Sequence, residues 1–120
     1  MPIVSTKNAD HYLWATNCEG WHLAASKNLS VIQERVPEGS YETRHFHKKA
    51  EQFFYILSGI ATLEVAGEIH ILHPNEGFHI PAGIAHTLSN EHEKDLAFLV
   101  VSTPPSHGDR ENASQIRVEP

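Results

Sequence analysis

The sequence predicts an all-β single domain, an antiparallel sandwich or barrel, and three observations lead there. Short runs of apolar and β-branched residues recur along the chain at close spacing. Clusters of turn-forming residues separate them, among them Pro37-Glu38-Gly39, Ser58-Gly59, Ala66-Gly67 and His73-Pro74-Asn75. Within the runs, apolar and polar residues alternate, as where Ala61, Leu63 and Val65 interleave with Thr62 and Glu64. Helix content is expected to be slight.

The 120 residues suit one domain, and about 40% of them are apolar, enough for a core without disulfide staples. Residues 1–27 read as an N-terminal arm with a first short strand at 21–24, Trp14 and Trp21 serving as apolar anchors. Residues 28–103 read as the barrel. Its first strand spans 29–36 and the next 41–47, where alternation places Tyr41, Thr43, His45 and His47 on one face. Residues 52–57 form a nearly continuous apolar run, as expected of a strand covered on both sides. The run 60–65 turns at 66–68 into 69–72, and 77–80, 85–89 and 96–102 complete the set. Residues 104–120, after Pro104-Pro105, read as a polar tail, loose or packed on a neighbouring subunit.

A formal net charge of −6 with dispersed basic residues argues against a nucleic-acid partner, which needs a basic stripe. The single cysteine, Cys18, excludes an intrachain disulfide and fits a reducing compartment. Neither a secretory leader nor an apolar run of membrane-spanning length is present, so a soluble cytoplasmic protein without a membrane partner is expected.

The chemistry concentrates in the histidines. His45 and His47 stand at i and i+2 on a predicted strand and so project from one face. His86 follows the turn Pro81-Ala82-Gly83 and can converge on the pair from a later strand. Three neutral imidazole nitrogens in one pocket make a site for a first-row divalent metal. Two half-exposed strand histidines would be the default for a lone His-x-His, but here the flanking residues fit a wider pattern.

Gly39 to Gly59, with His45, His47 and then Glu51-Gln52, resembles the first cupin motif, G-x5-H-x-H-x(3,4)-E-x6-G. Pro81-Ala82-Gly83-Ile84-Ala85-His86-Thr87-Leu88-Ser89-Asn90 resembles the core of the second, P-x-G-x2-H-x3-N. The resemblance covers residues 28 to 102 and implies a double-stranded β-helix, the jelly-roll barrel of the cupins. It also implies a fourth metal ligand, for which two residues compete. A three-residue spacer after His47 reaches Glu51. A four-residue spacer reaches Gln52, which also keeps the six residues before Gly59. The Gln52 reading satisfies both halves of the motif and is favoured, since a slip of one residue reverses every side-chain direction. A neutral amide ligand would leave the ion its full charge, suited to anionic substrates but holding metal less tightly. Asn75 replaces the usual glycine six residues before the proline. Asparagine tolerates a left-handed turn, so the fold is expected to survive.

Other candidates carry plainer readings. His79 could act as a base behind the metal or be an ordinary strand residue. His70 and His73 read as surface residues, and His22, His92 and His107 as solvent-exposed. Trp21, Tyr41, Phe54 and Ile56 could line the barrel but more commonly fill it. Arg35 and Arg44 read as surface ion-pair partners, Cys18 as an inert small residue, and Asn90 as a turn residue.

Two functions follow. In the first, His45, His47, His86 and Gln52 hold iron, manganese, nickel or zinc, and the cation polarises a small polar substrate. Dioxygenases, isomerases, epimerases and lyases all occur among proteins that this chain resembles. In the second, the same pocket binds a metal or small ligand without turnover. The resemblance further implies a homodimer; open strand edges need cover, and the Trp14 and Trp21 arm is the expected covering element.

Overall fold

The structure, a computed structural model, describes residues 2–114. The strands are β1 (Asp10–Trp14), β2 (Cys18–Ala25), β3 (Ser30–Val36), β4 (His45–His47), β5 (Glu51–Ser58), β6 (Ala61–Val65), β7 (Glu68–Leu72), β8 (Gly77–Ile80), β9 (His86–Ser89), β10 (Leu96–Thr103) and β11 (Arg110–Asn112). All pair antiparallel. One sheet runs β1-β2-β3-β10-β5-β8 and the other β11-β4-β9-β6-β7. No helix occurs among the described residues, and none is long and apolar enough to cross a membrane.

Alternation along three neighbouring strands explains where the core ends and the cavity begins. On β10, Leu96, Phe98, Val100 and Ser102 all point inward, and so do Val36 and Ser30 of β3 and Ile56, Phe54 and Gln52 of β5. The register stacks Leu96 beside Val36 and Ser102 beside Ser30 and Gln52. One end of the sandwich is therefore apolar, closed by Leu63, Leu88, Ile80 and Leu72 from the remaining strands. The opposite end receives serine and amide groups, and there the two sheets stay apart. Burial of this apolar end supplies the main stabilising term of the fold.

The turns follow their residue types. Ala66 and Gly67, with φ of 51° and 91°, close the β6–β7 hairpin with both central residues left-handed, as tight two-residue hairpins require. Gly59, which ends the first motif, has φ 78°, and a Cβ there would stand 2.5 Å from the Asp95 carbonyl oxygen. Asn75 takes φ 70°, the left-handed conformation expected of it.

Several details differ from the sequence expectations. Residues 10–25, read as mostly an arm, carry two strands that extend the larger sheet through β3. Regular pairing of the 41–47 segment begins only at His45, so Tyr41 and Thr43 are exposed while His45 and His47 are buried; Tyr41 makes an isolated bridge to Ser89. The outer face of β5 is not covered by the described residues: Phe53 and Leu57 remain 40% and 39% exposed. In the tail, β11 pairs with β4 along its whole length. Expectations for residues 115–120 lie outside the described residues.

Leu63 is fully buried and should make a sharp test of the apolar end. Leu63→Ala is expected to cost about 2–5 kcal/mol in chemical denaturation. Leu13→Ala on the exposed edge strand β1, where the side chain is 72% exposed, should change stability by under about 0.5 kcal/mol.

Candidate metal centre

The three motif histidines meet. His45 and His47 project inward from β4, and His86 opens β9 directly across from His45. Ring centroids lie 4.9 Å apart for His45–His47, 4.6 Å for His45–His86 and 6.0 Å for His47–His86. One ligating atom from each falls within 4.8 Å of the others. Two nitrogens on one ion at about 2.1 Å can stand up to about 4.2 Å apart, so closing on an ion needs a shift of under about 1 Å.

Backbone carbonyls orient the rings. His45 Nδ1–H donates to the Thr43 carbonyl at 2.7 Å, His86 Nδ1–H to that of Ile84 at 2.9 Å, and His47 Nδ1–H to that of Asp109 at 3.3 Å. Each such bond puts the proton on Nδ1 and leaves the Nε2 lone pair free, the tautomer a metal needs. Burial also depresses basicity, holding His45 at about 3, His86 at about 4 and His47 below the ordinary histidine value. The imidazoles are therefore neutral across the physiological range.

Among the described residues, three buried side-chain polar atoms are left without hydrogen-bond partners: His47 Nε2, His86 Nε2 and Gln52 Oε1. An orphaned buried acceptor costs about 1–3 kcal/mol, and two of these belong to histidines whose ligating atoms stand within 4.8 Å of each other, which calls for an electron-pair acceptor there. A divalent cation fits this donor set.

Gln52 points inward and is 7% exposed, and its Nε2 donates to Ser102 Oγ at 3.0 Å, which aims the amide. Glu51 points outward, is exposed, and accepts from His79 Nε2 at 2.7 Å. His79 therefore stands outside the cavity. Between His47 and Gln52 the chain is pinned by Asp109, whose carboxylate accepts from the backbone N–H groups of Lys48, Lys49 and Ala50 at 3.2, 2.9 and 2.9 Å. The same residue thus holds His47 through its carbonyl and sets the approach to β5 through its side chain.

The triad opens into a cavity of about 440 Å³ between the sheets. Ile56 and Phe54 belong to the core, as expected, and Phe54 also borders the cavity; Trp21 and Tyr41, expected in the core, lie outside both, and Trp14 stands on the wall. His22 and His107 are exposed, as expected, and also border this space. So do Tyr12, Glu34, Glu42 and Arg110, none of which was singled out from the sequence. Glu34 had a signal: it shares the inward face of its strand with Ile32 and Val36. Tyr12 and Arg110 had none, because they sit in segments read as arm and tail. Burial in the cavity pushes Glu34 up to about 7 and, with help from the Glu34 charge, Glu42 up to about 8.

Two remaining expectations resolve outside the cavity. Arg44 is buried and grips Glu64 in a two-pronged pair, at 2.6 Å and 3.1 Å, where a surface pair was expected. Burial alone would raise the Glu64 carboxyl, but Arg44 and the Gly67 N–H hold it below the usual range. Cys18 is fully buried and its thiol is pushed up by desolvation, in keeping with an inert residue.

Replacing Asp109 by alanine should speed amide exchange at residues 48–50 while leaving β10 protected, as read by hydrogen–deuterium exchange. Acid should act alike with a definite sign. The three amides hold the carboxyl below the ordinary aspartate value, so the anchor is intact above that range and is lost as pH falls through the lowered one.

Comparison with known proteins places this geometry. The family model described as "Cupin domain" matches residues 32–102. The chain is 38% identical over 70 residues to a mannose-1-phosphate guanylyltransferase of Salmonella montevideo, covering 58% of this chain and 14% of that protein. It is 30% identical over 84 residues to the quercetin 2,3-dioxygenase of Bacillus subtilis (strain 168), covering 65% of this chain and 25% of that one. The chain thus spans a quarter or less of these relatives. Among solved structures, KdgF from Halomonas sp. superposes with a TM-score of 0.81 at 20% identity, over 89% of this chain and 98% of that one, a likeness of fold. With the family model matching more than half its length and both motif histidine sets meeting inside the sandwich, the chain belongs to the cupin family.

Proposed function

We propose that the protein is a metal-dependent cupin enzyme that acts on a small polar molecule in the cavity between its sheets. His45, His47 and His86 hold a divalent transition metal through Nε2, and Gln52 joins them through Oε1. The observation that carries this reading is the set of orphaned atoms, His47 Nε2, His86 Nε2 and Gln52 Oε1, all buried around one space. Iron, manganese, nickel and zinc all suit imidazole donors. The bound ion would act as a Lewis acid toward a ligand oxygen. The chain's own residues do the rest: the carbonyls of Thr43, Ile84 and Asp109 keep the imidazoles aimed, Ser102 keeps the amide aimed, and Phe54 with the apolar end limits water behind the triad. Gln52 rather than Glu51 is the favoured fourth ligand, because Glu51 is engaged with His79 on the outer face.

The quercetin 2,3-dioxygenase relative supports an oxygen-dependent reaction, while isomerase, epimerase and lyase chemistry suit the same donors. The second reading, a module that binds metal or ligand without turnover, is favoured if no substrate turns over. Freshly purified protein should contain about one first-row metal per chain by elemental analysis. His86→Ala and His45→Ala should lower that to trace with the fold retained, and Gln52→Ala should weaken binding by roughly 10-fold or more. A wild-type chain devoid of metal even after loading would overturn the assignment. Oxygen uptake and product analysis with the iron-loaded protein against 1,2-diols, β-diketones and thiols separates enzyme from binding module.

The same proposal includes a cytoplasmic homodimer. Phe53, Tyr55 and Leu57 of β5 adjoin Leu99 and Val101 of β10 on the outer face of the larger sheet, an apolar surface suited to a second copy. Trp14 lines its own chain's cavity, so this sheet face rather than the arm is proposed as the contact. Sedimentation should give twice the chain mass, reduced to one by Phe53→Lys with Leu99→Lys; a wild-type monomer refutes the dimer.

A further inference from the structure

One cluster on the cavity wall takes no part in gripping an ion. Tyr12 of β1, Gly20 of β2 and Glu34 of β3 stand side by side across three strands, Tyr12 opposite Gly20 and Gly20 opposite Glu34. A Cβ at Gly20 would come within 2.1 Å of the Tyr12 ring, so the ring lies flat over a position that must be glycine. Laid across β2 in this way, Tyr12 donates its O–H to Glu34 Oε2 at 2.8 Å. Both side chains face the cavity that also holds His45, His47 and Gln52.

A plain tie between an edge strand and its sheet needs no ionisable acceptor deep in a cavity. The surroundings of Glu34 are those of a proton carrier instead. Desolvation lifts it to about 7, while the Tyr12 bond and the Arg110 charge pull it back from a still higher value. The other charged or titratable groups facing this space are Glu42 before β4, Arg110 on β11, His22 on β2, His107 before β11, and His45 and His47 on β4. A carboxyl that titrates near neutrality can both give and take a proton under working conditions.

We propose that Glu34, seated by Tyr12 across Gly20, is the proton-exchanging residue of the cavity, passing its carboxyl proton to an oxygen of the bound ligand and recovering it on release. This rests on the reading of the cavity as the site of a small polar ligand. The O–H bond at Glu34 breaks as an O–H bond forms on the ligand, each electron pair staying on its oxygen, with no change of oxidation state. Tyr12 is a positioning residue: its hydrogen stays on the phenol and favours the carboxylate form in between.

The probe is glycolate, a monoanion throughout the neutral range, binding to the full chain loaded with cobalt and read from the cobalt absorption spectrum. An anion that arrives with a proton on Glu34 should lose affinity about tenfold per pH unit above about 7, and keep it below. Glu34→Gln should flatten that slope, while Glu42→Gln should keep it. Tyr12→Phe should move the break to higher pH, since it removes a bond that favours the ionised form. A slope that survives Glu34→Gln, whether set by Glu42 or by ionising water on the metal, overturns the proposal.

A chain that takes up no cobalt would sink the metal reading and not this one. The carboxyl is then judged by ¹³C NMR of glutamate-labelled, metal-free protein. A Glu34 midpoint near neutrality that rises with glycolate supports the proposal, and a midpoint in the ordinary glutamate range ends it.

Discussion

Three hydrogen bonds from imidazole Nδ1–H to backbone carbonyls organise the centre of this molecule. Each consumes the nitrogen that would otherwise compete for a ligand and aims the other inward. Because the acceptors are main-chain atoms, ring orientation is tied to the strand path itself. Two of the carbonyls, of Thr43 and Ile84, lie two residues before the histidine they hold, at the ends of β4 and β9. The local turn and the histidine are thus one unit. The third comes from Asp109, distant in sequence, so the orientation of His47 depends on the C-terminal segment.

The sandwich separates its duties by position along the strands. Leu96, Phe98, Val36 and Ile56 close one end and carry the hydrophobic stabilisation. At the other end Ser30, Ser102 and Gln52 hold the sheets apart around polar groups. The cost of desolvating those groups is offset by the apolar end and by specific partners, such as Ser102 for Gln52 and Tyr12 for Glu34. Raised carboxyls and depressed histidines are the electrostatic mark of the same arrangement.

What the sequence made legible was local. His45, His47 and His86 could be recognised because spacing within a strand and after a turn determines side-chain direction, and Asn75 because its backbone preference is intrinsic. The inward pointing of Gln52 was readable from the count to Gly59. Tyr12 and Arg110 were illegible for the opposite reason. Their place on the wall comes from pairing between strands far apart in the chain, β1 through β2 onto β3 and β11 onto β4. Arg44 misled because its burial is created by the C-terminal segment: the Ser114 carbonyl accepts from it, and Ala113 N–H donates to the Arg44 carbonyl.

That segment has an implication for motion. β4 meets β9 through a single residue pair, His45 with His86, yet meets β11 along its full three residues. Peeling β11 away would therefore release His47 and Lys48 to Ala50 while the Leu63–Phe98 end stayed packed. Were an ion or ligand held there, loosening at the C-terminal edge would let it come and go without the domain unfolding.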